Sequence, residues 1–477
     1  MNAPGGLTAT ALLRGYRDGS LSVRSVVAAS LARIEQVNPR LNCFCDLYPE
    51  ESLAAAEAAD ARLAAGEPLA PLFGVPIAIK DLTPIAGKRT TSGSVVFADH
   101  IAERDAVIVE RLKAAGAILI GKTTTPEFAY SGFTQSPLFG ITRNPWDSGR
   151  TPGGSSGGSG AAVASGCVPL AEGSDMGGSI RIPAAFCGII GLKPSFGRIP
   201  FDYLPSQYDS LSHLGPLARC VADAALFLQV CQGPDSRDPS SLPEAADLGG
   251  LERGVAGLRL ALSPDLGFYA VEDSVAANLQ ATAERLRADG AEVVPVDLGF
   301  DRRLIEAWND LWAVFMEGYF GHYLEAHRQG MDPAVVALIE QGRRISGARL
   351  KAIEILRSQE WRKLAAVLDD FDALLTPTCS VPAPPVERQD GDFDRLDEAG
   401  RYRGMDMTGV FNLFSACPAI SLPSGLSPEG LPTGLQIVGR RFADGTVLRI
   451  AGALEAAVGG FPVAPEPDEG SSRGAAG

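Results

Sequence analysis

From Val23 to Val37 apolar residues return every three to four positions, and Val26, Val27, Leu31 and Ile34 fall on one face. Ser22 stands where a cap is needed and Asn38-Pro39 where a helix should stop, so the pattern predicts a helix over that span. Thr8 to Asp18 reads the same way, as does the alanine-rich stretch Ser52 to Ala65, which runs into Gly66. Residues 1–65 are therefore expected to form an N-terminal helical layer. Beyond them the period shortens. Leu72 to Lys80 is a short apolar run of strand type, and Asp105 to Ala115 reads as a helix leading through Gly116 into the strand Ala117 to Ile120. A second such unit comprises the strand Leu258 to Leu262, a helix Glu272 to Asp289, Gly290, and a strand Glu292 to Leu298. Strands are also expected over Phe371 to Thr376, Ala419 to Leu422 and Leu435 to Val438, with a closing helix from Asp444 to Val458. This alternation predicts an α/β fold over residues 66–463, with a β-sheet, mixed or parallel, covered by helices. The Pro/Gly/Ser/Glu-rich segment 464–477 is expected to be a disordered tail.

One helical pattern, Leu304 to Tyr323, carries a stripe of large rings at spacings of three and four: Trp308, Trp312, Phe315, Tyr319 and Tyr323. Core packing explains any single member. A stripe of this kind also suits a pocket wall, and Trp312, Phe315 and Tyr319 are the candidates for lining one.

Composition narrows the partners. The chain has 477 residues, 45% of them hydrophobic, and a formal net charge of −15. No Lys/Arg-dense segment offsets that charge, which disfavours nucleic acid and anionic membrane surfaces. The start, Met1-Asn2-Ala3-Pro4-Gly5-Gly6, has neither a basic n-region nor an apolar h-region, and no apolar run approaches the ~18 residues of a membrane span. A cytoplasmic protein is expected, with a second copy of the chain as the one macromolecular partner left open. Eight cysteines are scattered, and Cys43 and Cys45 miss the C-x-x-C spacing by one residue, so reduced thiols are expected. His322 and His327 lie five apart and no H-E-x-x-H occurs, so no metal site and no cofactor is expected.

The densest chemistry lies between Thr151 and Arg181, which opens Thr-Pro-Gly-Gly-Ser-Ser-Gly-Gly-Ser-Gly and closes Gly-Ser-Asp-Met-Gly-Gly-Ser-Ile-Arg. Ser155 and Ser179 each follow a Gly-Gly pair, where a missing Cβ lets backbone N–H groups turn toward a bound oxygen. A flexible linker is the plain alternative, but the run continues into the apolar Ala161-Ala162-Val163-Ala164 and Cys167 to Ala171. A phosphate loop lacks its third glycine and its Gly-Lys-Ser/Thr. Gly153-Gly154-Ser155-Ser156-Gly157 fits the G-x-S-x-G elbow, yet a turn-rich loop precedes it where that elbow needs a strand.

Over Gly153 to Pro194, including Gly-Gly-Ser-Ile-Arg and Phe186-Cys187-Gly188, the chain resembles the amidase signature family, and Gly74 to Asp81 is similar to the family's lysine segment. The likeness covers Pro71 to about Val230 and resumes from Phe371 to about Leu454. It implies the family's α/β fold, a large mixed β-sheet covered by helices on both faces, and an amidase cleaving a small-molecule amide through an acyl-enzyme, with Lys80, Ser155 and Ser179 as catalytic triad. The peptide bond before Ser155 would be cis. Neutral Lys80 would take a proton from Ser155 and Ser155 one from Ser179, while backbone N–H groups of Met176, Gly177, Gly178 and Ser179 form the oxyanion hole. A lysine base must lose its proton near neutral pH, and burial beside Val75 to Ile79 is the expected cause. Asp175 and Arg181 flank the oxyanion loop and are expected to pair. Three other functions stay open: the glutamine-hydrolysing component of a tRNA-dependent amidotransferase, an α/β-hydrolase-like esterase using His213, and an inactive binding protein.

Overall fold

The apolar run ahead of Lys80 becomes an interior strand, Pro76–Lys80, buried along its whole length. In the computed structural model, which describes residues 6–465, it is the third of eleven strands in one sheet. Their spatial order is Phe44–Leu47, Ile118–Thr123, Pro76–Lys80, Leu170–Asp175, His213–Ala218, Ile190–Lys193, Ala419–Leu426, Pro432–Gly439, Ala373–Pro377, Arg259–Leu262 and Glu292–Pro295. Pro76–Lys80 runs parallel to both its neighbours, and so does Arg259–Leu262, while the remaining pairs are antiparallel. The sheet is therefore mixed, one of the two forms the alternating pattern allows. Helices pack on it throughout, and one apolar core runs from Ala9 to Leu454.

The N-terminal helices form as expected, Ala9–Asp18 capped by Thr8 and Val23–Leu41 capped by Ser22, followed by Pro49–Ala64. The second differs at its end, because Pro39 lies inside the helix. A proline this near the C-terminus removes one donor, and the Asn38 side chain compensates by accepting the N–H groups of Cys43 and Phe44, both at 2.8 Å. Phe44–Leu47 between these helices is the edge strand of the sheet, which ties the N-terminal layer to the rest.

Three strands carry no apolar signature. Leu170–Asp175, Ile190–Lys193 and His213–Ala218 are buried from end to end although they contain Glu172, Ser174, Asp175, Lys193 and His213. Most of these polar residues are satisfied from other elements, Glu172 by Thr83, Ser174 by Lys80 and Asp175 by Arg181 and Asn412, and the site grows from this centre. The tail expected from 464 onward falls, from residue 466, outside the described residues, as does the start up to residue 5. Among the described residues no helix is long and apolar enough to cross a membrane.

Candidate active site

Lys80 ends its strand fully buried, and its Nζ donates to Ser155 Oγ at 2.6 Å and to Ser174 Oγ at 2.9 Å. Burial pushes its pKa down to about 7, against the pull of the Glu172 and Asp175 carboxylates. Glu172 does not touch the ammonium. Its carboxylate accepts the Lys80 backbone N–H at 3.0 Å and the Thr83 hydroxyl at 2.8 Å, which anchors the strand end. A second buried lysine, Lys122, serves a different purpose: it donates to Thr83 O at 2.6 Å with Asp81 3.7 Å away. Asp81, adjacent to Lys80 in sequence, accepts Thr91 N–H at 3.1 Å and so holds a loop, not a serine.

Ser155 follows a cis Gly154–Ser155 peptide bond, where the resemblance places one. Gly154 has no room for a side chain, since a Cβ there would meet the Ser131 carbonyl and Gly132. The next residue ties the two serine segments together, Ser156 N–H donating to Ser179 O at 3.1 Å. The helix Gly157–Ala164 then carries the chain away.

Ser179 sits in the loop after the strand Leu170–Asp175. Asp175 organises that loop from inside: it pairs with Arg181 through two bonds of 2.9 Å, with Arg181 also donating to Asn412 Oδ1 at 2.6 Å and Gln436 Oε1 at 3.0 Å. Burial alone would raise the Asp175 carboxyl, but the Arg181 guanidinium beside it prevails and holds it well below the usual carboxylate range. The same carboxylate accepts Gly178 N–H at 2.8 Å and Ile180 N–H at 3.3 Å. This corrects one expected oxyanion donor. The Gly178 N–H is committed to Asp175, whereas those of Met176, Gly177 and Ser179 have no partner among the described residues. The Ser179 hydroxyl likewise makes no hydrogen bond there. The structure joins Lys80 to Ser155 directly and brings Ser179 to them through backbone.

The loop floors a cavity of about 390 Å³ that holds Ser179, Gly177 and Met176 on one side and Trp308 and Trp312 on another. Phe315 and Tyr319 do not line it, contrary to the expectation for the stripe. They share the helical face of Trp308, but each residue advances about 1.5 Å, which carries them roughly 10 and 16 Å beyond it. Phe315 stacks behind Trp312 at 4.9 Å, and the Tyr319 hydroxyl reaches Ser206 O at 3.5 Å. Trp308, in the same stripe but not among the expected lining residues, is the ring nearest the loop. Its Nε1 donates to Met176 O at 3.0 Å.

The far wall comes from the segment that follows Val381. Asp390 folds back to accept the Ser131 hydroxyl and Gly132 N–H, and Asp390, Asp394 and Asp406 all line the cavity. Among the described residues no Lys, Arg or His lines it. Arg302 stands behind Asp394, 3.7 Å away.

His213 takes no part in this arrangement. Its Nδ1 faces Leu211 O at 2.8 Å and Asp175 O at 3.2 Å, and its Nε2 faces Ser415 O at 3.1 Å and Lys193 Nζ at 3.3 Å. No serine hydroxyl is among its partners in the described residues.

The chain is similar to known proteins over nearly its whole length. The model of the family described as Amidase matches residues 25–448. An acylamidase from Rhodococcus erythropolis is 36% identical over 460 residues, covering 94% of this chain and 95% of its own. The A component of the glutamyl-tRNA(Gln) amidotransferase from Anaeromyxobacter dehalogenans is 38% identical over 478 residues, with 95% and 96% covered. Among solved structures, a bacterial aryl acylamidase belonging to the amidase signature enzymes superposes with a TM-score of 0.88 at 31% identity, over 95% of this chain and 96% of that one. A serine-rich loop beside a buried lysine, on this mixed sheet and with this extent of likeness, leaves one family: the chain belongs to the amidases, the amidase signature enzymes that cleave amide carbon–nitrogen bonds.

Proposed function

We propose that the chain is a stand-alone amidase that hydrolyses a small aryl or otherwise apolar carboxylic amide through Lys80, Ser155 and Ser179. The observation that carries this is the 2.6 Å bond from Lys80 Nζ to Ser155 Oγ, made by a buried amine whose pKa is lowered to about 7, beneath the cavity that holds Ser179. Neutral Lys80 accepts the Ser155 proton, Ser155 accepts that of Ser179, and Ser179 Oγ attacks the amide carbonyl carbon. The tetrahedral oxyanion is met by the unengaged N–H groups of Met176, Gly177 and Ser179. The proton returns along the relay to the leaving nitrogen, and water then cleaves the acyl ester. Nothing in this sequence of steps requires a metal or cofactor.

The cavity supports a neutral substrate over glutamine. A glutamine carboxylate placed near Ser179 would face Asp390, Asp394 and Asp406 with no cation among the described wall residues to pair with it. The Trp308 and Trp312 rings supply the apolar side, and the similar solved structure named an aryl acylamidase is in keeping with it.

The test is a hydrolysis screen across anilides, aliphatic amides, peptide amides, esters and glutamine. Anilides or apolar amides should be turned over at least about 10²-fold more efficiently than glutamine, and Ser179→Ala should abolish both turnover and labelling by a fluorophosphonate. Glutamine as the preferred substrate, or labelling that survives Ser179→Ala, overturns the proposal.

A further inference from the structure

The oxyanion loop is a run of peptide planes, each held from behind by its carbonyl. Asp175 O accepts Asn412 Nδ2 at 3.2 Å, Met176 O accepts Trp308 Nε1 at 3.0 Å, and Gly178 O accepts Ile182 N–H at 2.7 Å. In a trans peptide the carbonyl oxygen and the following N–H point in opposite directions. Holding these oxygens therefore turns the N–H groups of Met176, Gly177 and Ser179 away from the groups that hold them, and these three are the donors without partners among the described residues. The plane between Gly177 and Gly178 is clamped at both ends, by Thr408 Oγ1 on Gly177 O at 2.6 Å and by Asp175 on Gly178 N–H at 2.8 Å. The plane between Met176 and Gly177 is held at its carbonyl alone, and its one holder among the described residues is an indole.

That indole is itself anchored and itself exposed to ligand. Trp308 stacks on Trp312 at 6.0 Å and 23°, and Trp312 Nε1 donates to Tyr130 O at 3.2 Å. The Trp308 ring lies so close over Gly177 that a Cβ there would collide with it, and it forms part of the cavity wall. It comes from the helix Arg303–Phe320, 132 residues from the carbonyl it holds.

We infer that Trp308 is a positioning residue that aims the Gly177 N–H at the oxyanion and, because its ring is also cavity wall, ties that aim to the group occupying the cavity. This rests on the proposed use of Ser179 as nucleophile. Losing the indole N–H leaves the Met176–Gly177 peptide free to rotate, which weakens a bond that matters in the transition state more than in the ground state.

The experiment replaces Trp308 by phenylalanine and, separately, by β-(3-benzothienyl)alanine, which keeps the bicyclic shape and puts sulfur in place of N–H. With a small acetanilide, both variants should lose at least about tenfold in kcat with KM within about twofold, and the affinity for a trifluoromethyl ketone analogue should fall by the same factor as kcat/KM. A benzothienyl variant with wild-type kcat and wild-type analogue affinity overturns the inference. A wild-type enzyme without Ser179-dependent amidase activity would overturn the site assignment instead, so the two failures are separable.

Discussion

Lys80 Nζ lies 2.6 Å from the hydroxyl of Ser155, and both groups are buried. Only the uncharged amine can accept a proton across that distance. With the Lys80 pKa lowered to about 7 by burial, kcat/KM should rise with pH through about 7 and level off above it, falling about tenfold per unit on the acid side. A pH–rate profile checks this. Lys80→Arg, charged at every accessible pH, should be inactive throughout, and Lys80→Ala should lower kcat by about 10²–10⁴-fold.

Histidine chemistry makes the opposite forecast. Burial first, and the neighbouring Lys193 second, push the His213 pKa down to about 3, so the ring is neutral across the working range. His213→Gln should cost far less turnover than Lys80→Ala, and the acid limb of the profile should stay at the Lys80 position. An activity loss equal to that of Lys80→Ala would return the esterase-type triad to consideration.

Breaking the Asp175–Arg181 pair should cost stability as well as rate. Both side chains are fully buried, and removing one partner leaves a charge without compensation, at about 3–5 kcal/mol. Urea unfolding of Asp175→Asn measures it. Because the folded carboxyl titrates below its unfolded value of about 3.9, the unfolded state binds more protons between the two, and wild-type stability should fall as pH drops below about 4. Asp175→Asn should lack that acid slope.

Gly178 adopts φ +125° with Thr408 Oγ1 against the position a Cβ would take. Gly178→Ala should therefore displace the loop and lose about 10²-fold or more in kcat. Thr408→Val removes only the hydroxyl that holds Gly177 O and should lose less. Steady-state kinetics on the two variants ranks them; a Gly178→Ala enzyme of wild-type rate would contradict the close packing described.

Much of the frame is visible in the chain. Asp444–Val458 falls where the periodicity puts it, Val23–Leu41 starts at its expected cap and overruns only its expected end, and Pro76–Lys80 lies within its apolar run. The central strands are not visible, since Glu172, Asp175, Lys193 and His213 make them look like loops, and it is hydrogen bonds to partners distant in sequence, such as Thr83 for Glu172 and Asn412 for Asp175, that make their burial tolerable. In the site, the glycine pairs single out Ser155 and Ser179, and Lys80 enters through the likeness of Gly74 to Asp81 to the family's lysine segment. What glycine spacing cannot convey is which amide hydrogens are already taken, as at Gly178, or that an acidic run folds back to place Asp390 on the cavity wall. Trp308 sits in a stripe legible as a stripe, but its bond to Met176 O spans 132 residues and has no local signal.

The division of labour within the cavity has an engineering corollary. The proposed relay residues sit at the end of the strand Pro76–Lys80 and in the loops around Ser155 and Ser179, whereas the rings and carboxylates lining the cavity come from Arg303–Phe320 and the segment between Asp390 and Asp406. A randomised library confined to those two outer stretches, with Trp308 spared, could retarget the catalyst toward bulkier or more polar amides while leaving its hydrolytic engine intact.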